Sequence, residues 1–214
     1  MSATINANLI TNKLLNYCDQ HHVICLYGVE SGSRAWGFAS QDSDYDVRFI
    51  YIRPRTDYLR LERPRDVLEY MDNSREFDFV GWDVIKALKL LSKSNPSIIE
   101  WRATPSVYYK DEAAFRILHE AAEKCFSAKT LALHYLSLGN DHVHKYIDGK
   151  TEIMPKRYFY TLRSILSASY VLNNSQPAPI KFSELLKASH LDSGLRSQID
   201  HLLVSSYLFS KHRL

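Results

Sequence analysis

Glycine is scarce in this chain: 7 of 214 residues, about 3% where about 7% is usual. Prolines also number only 7. A chain this poor in both is not collagen-like, disordered or loop-dominated, and it does not suit a small β-sandwich full of tight turns. Cysteine is scarcer still. Cys18, Cys25 and Cys125 form an odd set with no C-x-x-C pair and no zinc-ligand spacing, which reads as free thiols in a reducing compartment. A large charge excess is missing too. Twenty-seven Lys+Arg against 24 Asp+Glu leave a net +3, too little for a histone-like coat on nucleic acid. No apolar run approaches the roughly 18 residues that span a bilayer. The opening MSATINANLITNK has no basic segment followed by a long apolar one, so no signal peptide is expected. A cytoplasmic protein without a membrane partner is the expectation.

What is present is ordinary in bulk and uneven in detail. With 45% hydrophobic and 24% charged residues, the chain can bury the core of one compact domain or two small ones. Between positions 48 and 65, six arginines (48, 53, 55, 60, 63 and 65) face only Asp57 and Glu62. Such a stretch can meet phosphate, although a solvated strand edge and loop would look the same.

Apolar residues at helical spacing predict a first helix over Asn8–Gln20, and the run Val23–Tyr27, closed by Gly28, predicts a buried strand. Alternation over Tyr45–Ile52 and Glu76–Val80 predicts a second and a third strand. From Val84 the period becomes helical, with a stop near Asn95-Pro96 and a short helix or turn around Ile98–Trp101. Helices are expected over 112–125, 128–146, 155–173, 181–189 and 192–212. A boundary near 105–111 then separates an α/β front half from an all-helical back half.

The segment GVESGSRAWGFASQDSDYDVR, Gly28 to Arg48, carries the chemistry. A strand leads to a Gly32-Ser33 turn; ten residues follow, then Asp44-Tyr-Asp46 runs into the next strand. Residues two apart in a strand share a face, so both carboxylates project together. A hard divalent cation such as Mg²⁺ relieves their repulsion, with substrate phosphates completing its shell. Gly32 allows close backbone approach to a phosphate, and Ser33 offers its hydroxyl and amide. Three of the seven glycines (28, 32 and 37) fall within ten residues immediately before this strand.

These residues resemble the nucleotidyltransferase signature of the DNA polymerase beta superfamily: hydrophobic strand, Gly-Ser, about ten residues, Asp-x-Asp. The fuller run GSRAWGFASQDSDYDVRFIY is similar to the predicted nucleotidyltransferases of the YcgL/RlaP group. So are FDFVGWDVIKALKLLSKSNPSIIEW at 77–101 and KRYFYTLRSIL at 156–166. Ser31, where the general pattern has an apolar residue, is a small departure.

The resemblance implies an α+β fold. A polymerase-beta-like core, a short mixed sheet flanked by helices, occupies 1–108, and an all-helical substrate- and nucleotide-binding domain occupies 109–214. It implies two-metal chemistry on Asp44, Asp46 and a third carboxylate on a later strand. Asp78 is the best candidate; Asp83, of opposite parity, suits a helix cap, and Glu76 a more peripheral place. Two Mg²⁺ ions, or Mn²⁺ in substitution, would serve transfer of an NMP from an NTP to an acceptor hydroxyl. An RNA 3′ end is one acceptor, and a protein or small molecule the alternative. Gly32, Ser33, Arg34, Arg48 and a helical face of Lys156, Tyr160 and Arg163 are the expected nucleotide contacts. Trp36 suits burial behind the loop better than base stacking. His134, His142 and His144 lack the spacing of a zinc site. A non-catalytic nucleotide sensor and a metal-dependent nuclease are the competing classes.

Overall fold

The computed structural model describes residues 6–40 and 43–211, with side chains to residue 203. Three layers make up the molecule. In the outer one, α1 (Ala7–Gln20) starts where the Asn6 side chain accepts from the Asn8 amide, and it buries Ile10, Leu14 and Cys18 at four-residue intervals.

The middle layer is a five-stranded mixed sheet in the order β3-β4-β2-β1-β5. Its strands are β1 (Ile24–Glu30), β2 (Tyr45–Ile52), β3 (Val67–Met71), β4 (Phe77–Asp83) and β5 (Val107–Lys110). Only β2 and β4 run parallel to each other among these pairs; β1–β2, β1–β5 and β3–β4 are antiparallel. Strand parity sorts the side chains. Val47, Phe49, Tyr51, Phe77 and Phe79 pack toward α1 in one apolar cluster, which turns Asp46, Arg48, Ile50, Asp78, Val80 and Trp82 to the other face.

The third layer covers that other face. It contains α4 (Val84–Leu91), α5 (Pro96–Ala103), α6 (Glu112–Cys125), α7 (Ala128–Tyr146), α8 (Pro155–Asn174), α9 (Phe182–Ala188) and α10 (Ser193–Lys211). Two short helices lie in loops of the front half: α2 (Gly32–Trp36) follows β1, and α3 (Arg55–Tyr58) follows β2. Tyr27, Val29 and Ile50 of the sheet share one core cluster with Leu118, Leu131, Phe159, Phe182 and Leu185 of the helices. Front and back halves thus bury their apolar surface in each other. The expected 108/109 division falls inside β5, whose Tyr109 and Lys110 pair with Gly28 and Tyr27.

The fold is α+β, as expected, and the helices from α6 to α10 begin and end within a residue or two of the expected positions. Three readings are corrected. Gly28 does not close β1 but lies within it, paired with Phe49 and Tyr109 of the flanking strands, at a point where a Cβ would sit 2.5 Å from Leu14 Cδ2 of α1. The strand expected at Glu76–Val80 extends to Asp83, leaving exposed Glu76 outside it. Strands β3 and β5 were not anticipated: β3 is an edge strand with little burial, and β5 has four residues. Among the described residues no helix is long and apolar enough to cross a membrane.

Candidate active site

Parallel pairing of β2 with β4 places Asp46 directly opposite Asp78, on the face that looks toward the helices. One nitrogen of Arg48 joins them: Nη2 donates to Asp46 Oδ1 at 2.7 Å and to Asp78 Oδ2 at 2.9 Å. Nη1 of the same guanidinium donates to the Asp78 carbonyl at 2.8 Å. Asp44 lies just before β2, and no hydrogen bond holds its carboxylate among the described residues. The Asp46 carboxyl is raised from its ordinary value, first by burial and then by the charges of Asp44 and Asp78, with Arg48 opposing. Two carboxylates thus share one guanidinium nitrogen, and the charge of Asp44 acts on Asp46 without a share in it.

The β1–β2 connection presses against this pair. Gly32 has φ +61°, and a Cβ there would lie 2.0 Å from Asp46 Oδ2. The close approach that glycine permits here is thus to the Asp46 carboxylate. Gly37 ends α2 in the left-handed region at φ +83°. Ser33 is 1% exposed, and its Oγ is buried without a hydrogen-bond partner among the described residues.

Arg34 points away from the cleft. Its Nε donates to the Asp44 carbonyl at 3.0 Å, Nη2 donates to the Ser43 carbonyl, and its guanidinium lies 3.9 Å over the Tyr45 ring. It fixes the chain that presents Asp44. Sequence alone did not single out Glu30, which is 3% exposed at the end of β1. Its Oε1 accepts from the Asp46 amide at 2.9 Å and its Oε2 from the Tyr108 hydroxyl. Burial pushes the Glu30 carboxyl up to about 7 against those two bonds.

A cleft of about 350 Å³ opens in front of Asp46, between the sheet and α5, α7 and α8; Asp44 and Asp78 are not among the residues that line it. Gly32, Asp46 and Arg48 line one wall, and Trp36, Trp82, Tyr160 and His142 contribute rings. The expected face of α8 divides in two. Tyr160 faces the carboxylates: its phenol is pushed up to about 12, first by burial and then by Asp46 and Asp44. Lys156 is exposed, its Nζ 5.8 Å from the Tyr160 ring centre, and its charge opposes the rise at Asp46.

Arg163, by contrast, is only 3% exposed. Its Nη1 donates to Glu100 Oε1 at 2.8 Å, and its guanidinium lies 4.3 Å over Trp36. Glu100 also accepts from the Tyr135 hydroxyl at 2.7 Å and from Trp36 Nε1 at 3.1 Å. It gathers α2, α7 and α8 around one carboxylate at the floor of the cleft. A lone Glu in an apolar helix, Ile98-Ile-Glu-Trp101, was the only trace of this in the sequence.

Asp83 does cap α4, its Oδ1 accepting from Ile85 N at 2.9 Å, and Glu76 is exposed. His144 pairs with Asp148 at 2.7 Å. Among the described residues no three His, Cys, Asp or Glu converge closely enough to hold a metal as they stand. At the Asp46–Asp78 pair the Arg48 guanidinium supplies the positive charge. The donor chemistry nonetheless fits a hard divalent ion: the Asp46 and Asp78 carboxylates face one guanidinium, with Asp44 close enough for its charge to act on Asp46.

YcgL, an uncharacterized protein of Bacillus subtilis (strain 168), is 36% identical over 194 residues, spanning 91% of this chain and 74% of its own. A nucleotidyltransferase-like protein from Exiguobacterium sibiricum 255-15 aligns with a TM-score of 0.37 and 12% identity, over 96% of this chain and 74% of that one. The profile of the RNA repair pathway DNA polymerase beta family, RlaP, matches residues 7–206. The chain belongs to that family.

Proposed function

We propose that this protein transfers an NMP from an NTP to an acceptor hydroxyl, with RNA as the acceptor and pyrophosphate as the leaving group. The observation that carries the reading is the in-register Asp46–Asp78 pair joined by Arg48, of which Asp46 and Arg48 line an aromatic-walled cleft. In the reaction, the acceptor oxygen forms a bond to the α-phosphorus while the bond to the pyrophosphate oxygen breaks. Asp44, Asp46 and Asp78 would hold two Mg²⁺ ions, or Mn²⁺ in their place. When bound, such ions stabilise charge on the attacking and leaving oxygens together.

The chain's own residues do the rest. Asp78 stands beside the acceptor as the group that takes its proton. Arg48, held on both carboxylates, and Lys156 at the rim offer positive charge to the triphosphate. Trp36 and Tyr160, with ring centres 5.3 Å apart, give a base an aromatic wall. Arg34 acts at one remove by holding the Asp44 backbone. Glu30 does the same for Asp46 through its amide.

The test is incubation with each α-labelled NTP, Mg²⁺ and cellular RNA. Label should pass to RNA with wild type and not with Asp46→Asn or Asp78→Asn, because loss of one ligand removes turnover rather than weakening it. Intact NTP with no transfer to any acceptor would mark a nucleotide sensor; RNA shortened without NTP would mark a nuclease. Mg²⁺ with NTP should also raise the melting temperature of wild type more than that of Asp46→Asn.

A further inference from the structure

The arginine-rich segment after β2 takes little part in the cleft just described. Only Arg48 reaches the carboxylates; the rest lie at the far end of the same strands. Arg53, Arg63 and Arg65 of the β2–β3 loop join Lys86 and Lys89 of α4 around a second cleft of about 320 Å³. Three acids, Asp57, Asp66 and Asp83, also line it, and each has a partner. Asp83 caps α4 and accepts from the Tyr58 hydroxyl at 2.8 Å; Asp66 pairs with Lys86 at 3.2 Å; Asp57 lies 3.5 Å from Arg60. Arg63 and Lys89 are exposed and have no partner among the described residues. Arg53 spends one nitrogen on the Arg65 carbonyl and the Tyr51 hydroxyl, leaving the rest of its fork open. The cleft therefore keeps a positive excess of two charges with unsatisfied donors.

From these features we propose that this second cleft anchors the phosphodiester backbone of a single-stranded RNA acceptor, an inference that rests on the RNA reading above. Arginine forks match phosphate oxygens in pairs. Lys86 and Lys89 are three apart on α4, a rise of about 4.5 Å at about 1.5 Å per residue, and two cations so spaced suit successive phosphates on one strand better than a single small anion. The same loop exposes Leu59 and Leu61, at 75% and 105% of their reference surfaces. Unstacked bases can use such apolar contacts and an isolated phosphate cannot. Arg53 lies just past the end of β2, seven residue steps from Asp46, about 23 Å at about 3.3 Å per residue. A strand held here would be gripped well back from the end that reacts.

The experiment is fluorescence anisotropy of a labelled single-stranded oligoribonucleotide of about 12 nucleotides, within known single-strand site sizes, with EDTA and no NTP. Wild type should bind. Arg63→Ala/Lys89→Ala should bind about tenfold more weakly at about 0.1 M salt, and its slope of log affinity against log salt should fall by about 1.4, at about 0.7 per phosphate. Its melting temperature and its stabilisation by Mg²⁺ and NTP should match wild type, since neither side chain touches the carboxylate cleft. Asp46→Asn should bind the oligonucleotide as wild type does. Equal RNA affinity and salt slope in wild type and the double variant would overturn the proposal. So would cleft-dependent binding only to poly-glutamate or to phosphatidylserine vesicles, which would make the surface a protein or membrane site. If RNA binding depends on the cleft while no NTP is ever transferred, the anchor stands and the transferase reading fails.

Discussion

Gly32 and Gly37 bracket one short helix, yet the physics at the two positions differs. At Gly32 a methyl group meets two penalties. The left-handed backbone costs an L-residue roughly 1–2 kcal/mol, and the methyl would lie 2.0 Å from Asp46 Oδ2. At Gly37, φ is +83° but a Cβ would meet nothing within 4 Å. Gly37→Ala should therefore cost about 1 kcal/mol of stability and leave label transfer within a few-fold of wild type. Gly32→Ala should also displace the Asp46 carboxylate, and displacements near 1 Å cost roughly 100-fold in rate. Thermal melts and single-turnover transfer with the two variants separate strain from displacement. If Gly32→Ala turns over like Gly37→Ala, the proposed place of Asp46 in the reaction is wrong. At this scale the sequence was readable where a rule depends on near neighbours. The spacing of Asp44 and Asp46, the parity of Asp78 and the cap at Asp83 are all local. It was silent where partners are distant, as with Glu30 and Tyr108 or Glu100 and Arg163, because no local pattern records a contact across 63 or 78 residues.

Elements are tied together here by polar groups that the apolar pattern cannot reveal. Tyr27 of β1 donates its hydroxyl to the Trp101 carbonyl of α5 at 3.1 Å, and burial pushes its phenol from 10.0 up to about 12. The unfolded chain releases this proton near pH 10 and the folded one near 12. The contribution is thus intact below pH 10 and is lost as pH rises toward 12, by about 2.7 kcal/mol for two pKa units. Denaturant titrations at pH 7 and pH 11 should show Tyr27→Phe less stable than wild type at pH 7, with the gap narrowing or reversing at pH 11. A constant gap would remove the titration from the account. The Glu100–Arg163 pair ties α5 to α8 more strongly. Both side chains are nearly inaccessible, 12% and 4% exposed, so removing one partner strands a buried charge at roughly 3–5 kcal/mol. Arg163→Met should cost that much, and Glu100→Gln/Arg163→Met should recover part of it. Strict additivity of the two single changes would show that the pair is not coupled. Edge strand β3 and the four-residue β5 escaped the sequence reading for a related reason: with little burial there is little alternation to read.

At the scale of the whole molecule, the sheet cannot be separated from the helices without uncovering its own core. Tyr27 and Val29 of β1 and Ile50 of β2 are at most 2% exposed, and they pack in one cluster with residues from α4 to α10. The candidate active-site cleft has the same dependence, since Asp46 and Arg48 form one wall and α5, α7 and α8 the other. A change of hydropathy period near residue 105 marks where strands give way to helices. It does not mark where the core ends, because period reports local geometry and burial is set by what lies opposite. The chain should accordingly unfold as one cooperative unit. Its three tryptophans, at 36, 82 and 101, report the front half through fluorescence, while far-ultraviolet circular dichroism is dominated by the helices behind it. Both urea transitions should share one midpoint and one slope. A fragment of residues 1–110 should remain unfolded, because its uncovered sheet face and α5 would carry Tyr27, Val29, Ile50 and Trp101 into water at about 1.5–3 kcal/mol for each large side chain. Two separated midpoints, or a folded fragment with a dispersed NMR spectrum, would instead make the helical half a detachable lid on an independent catalytic core.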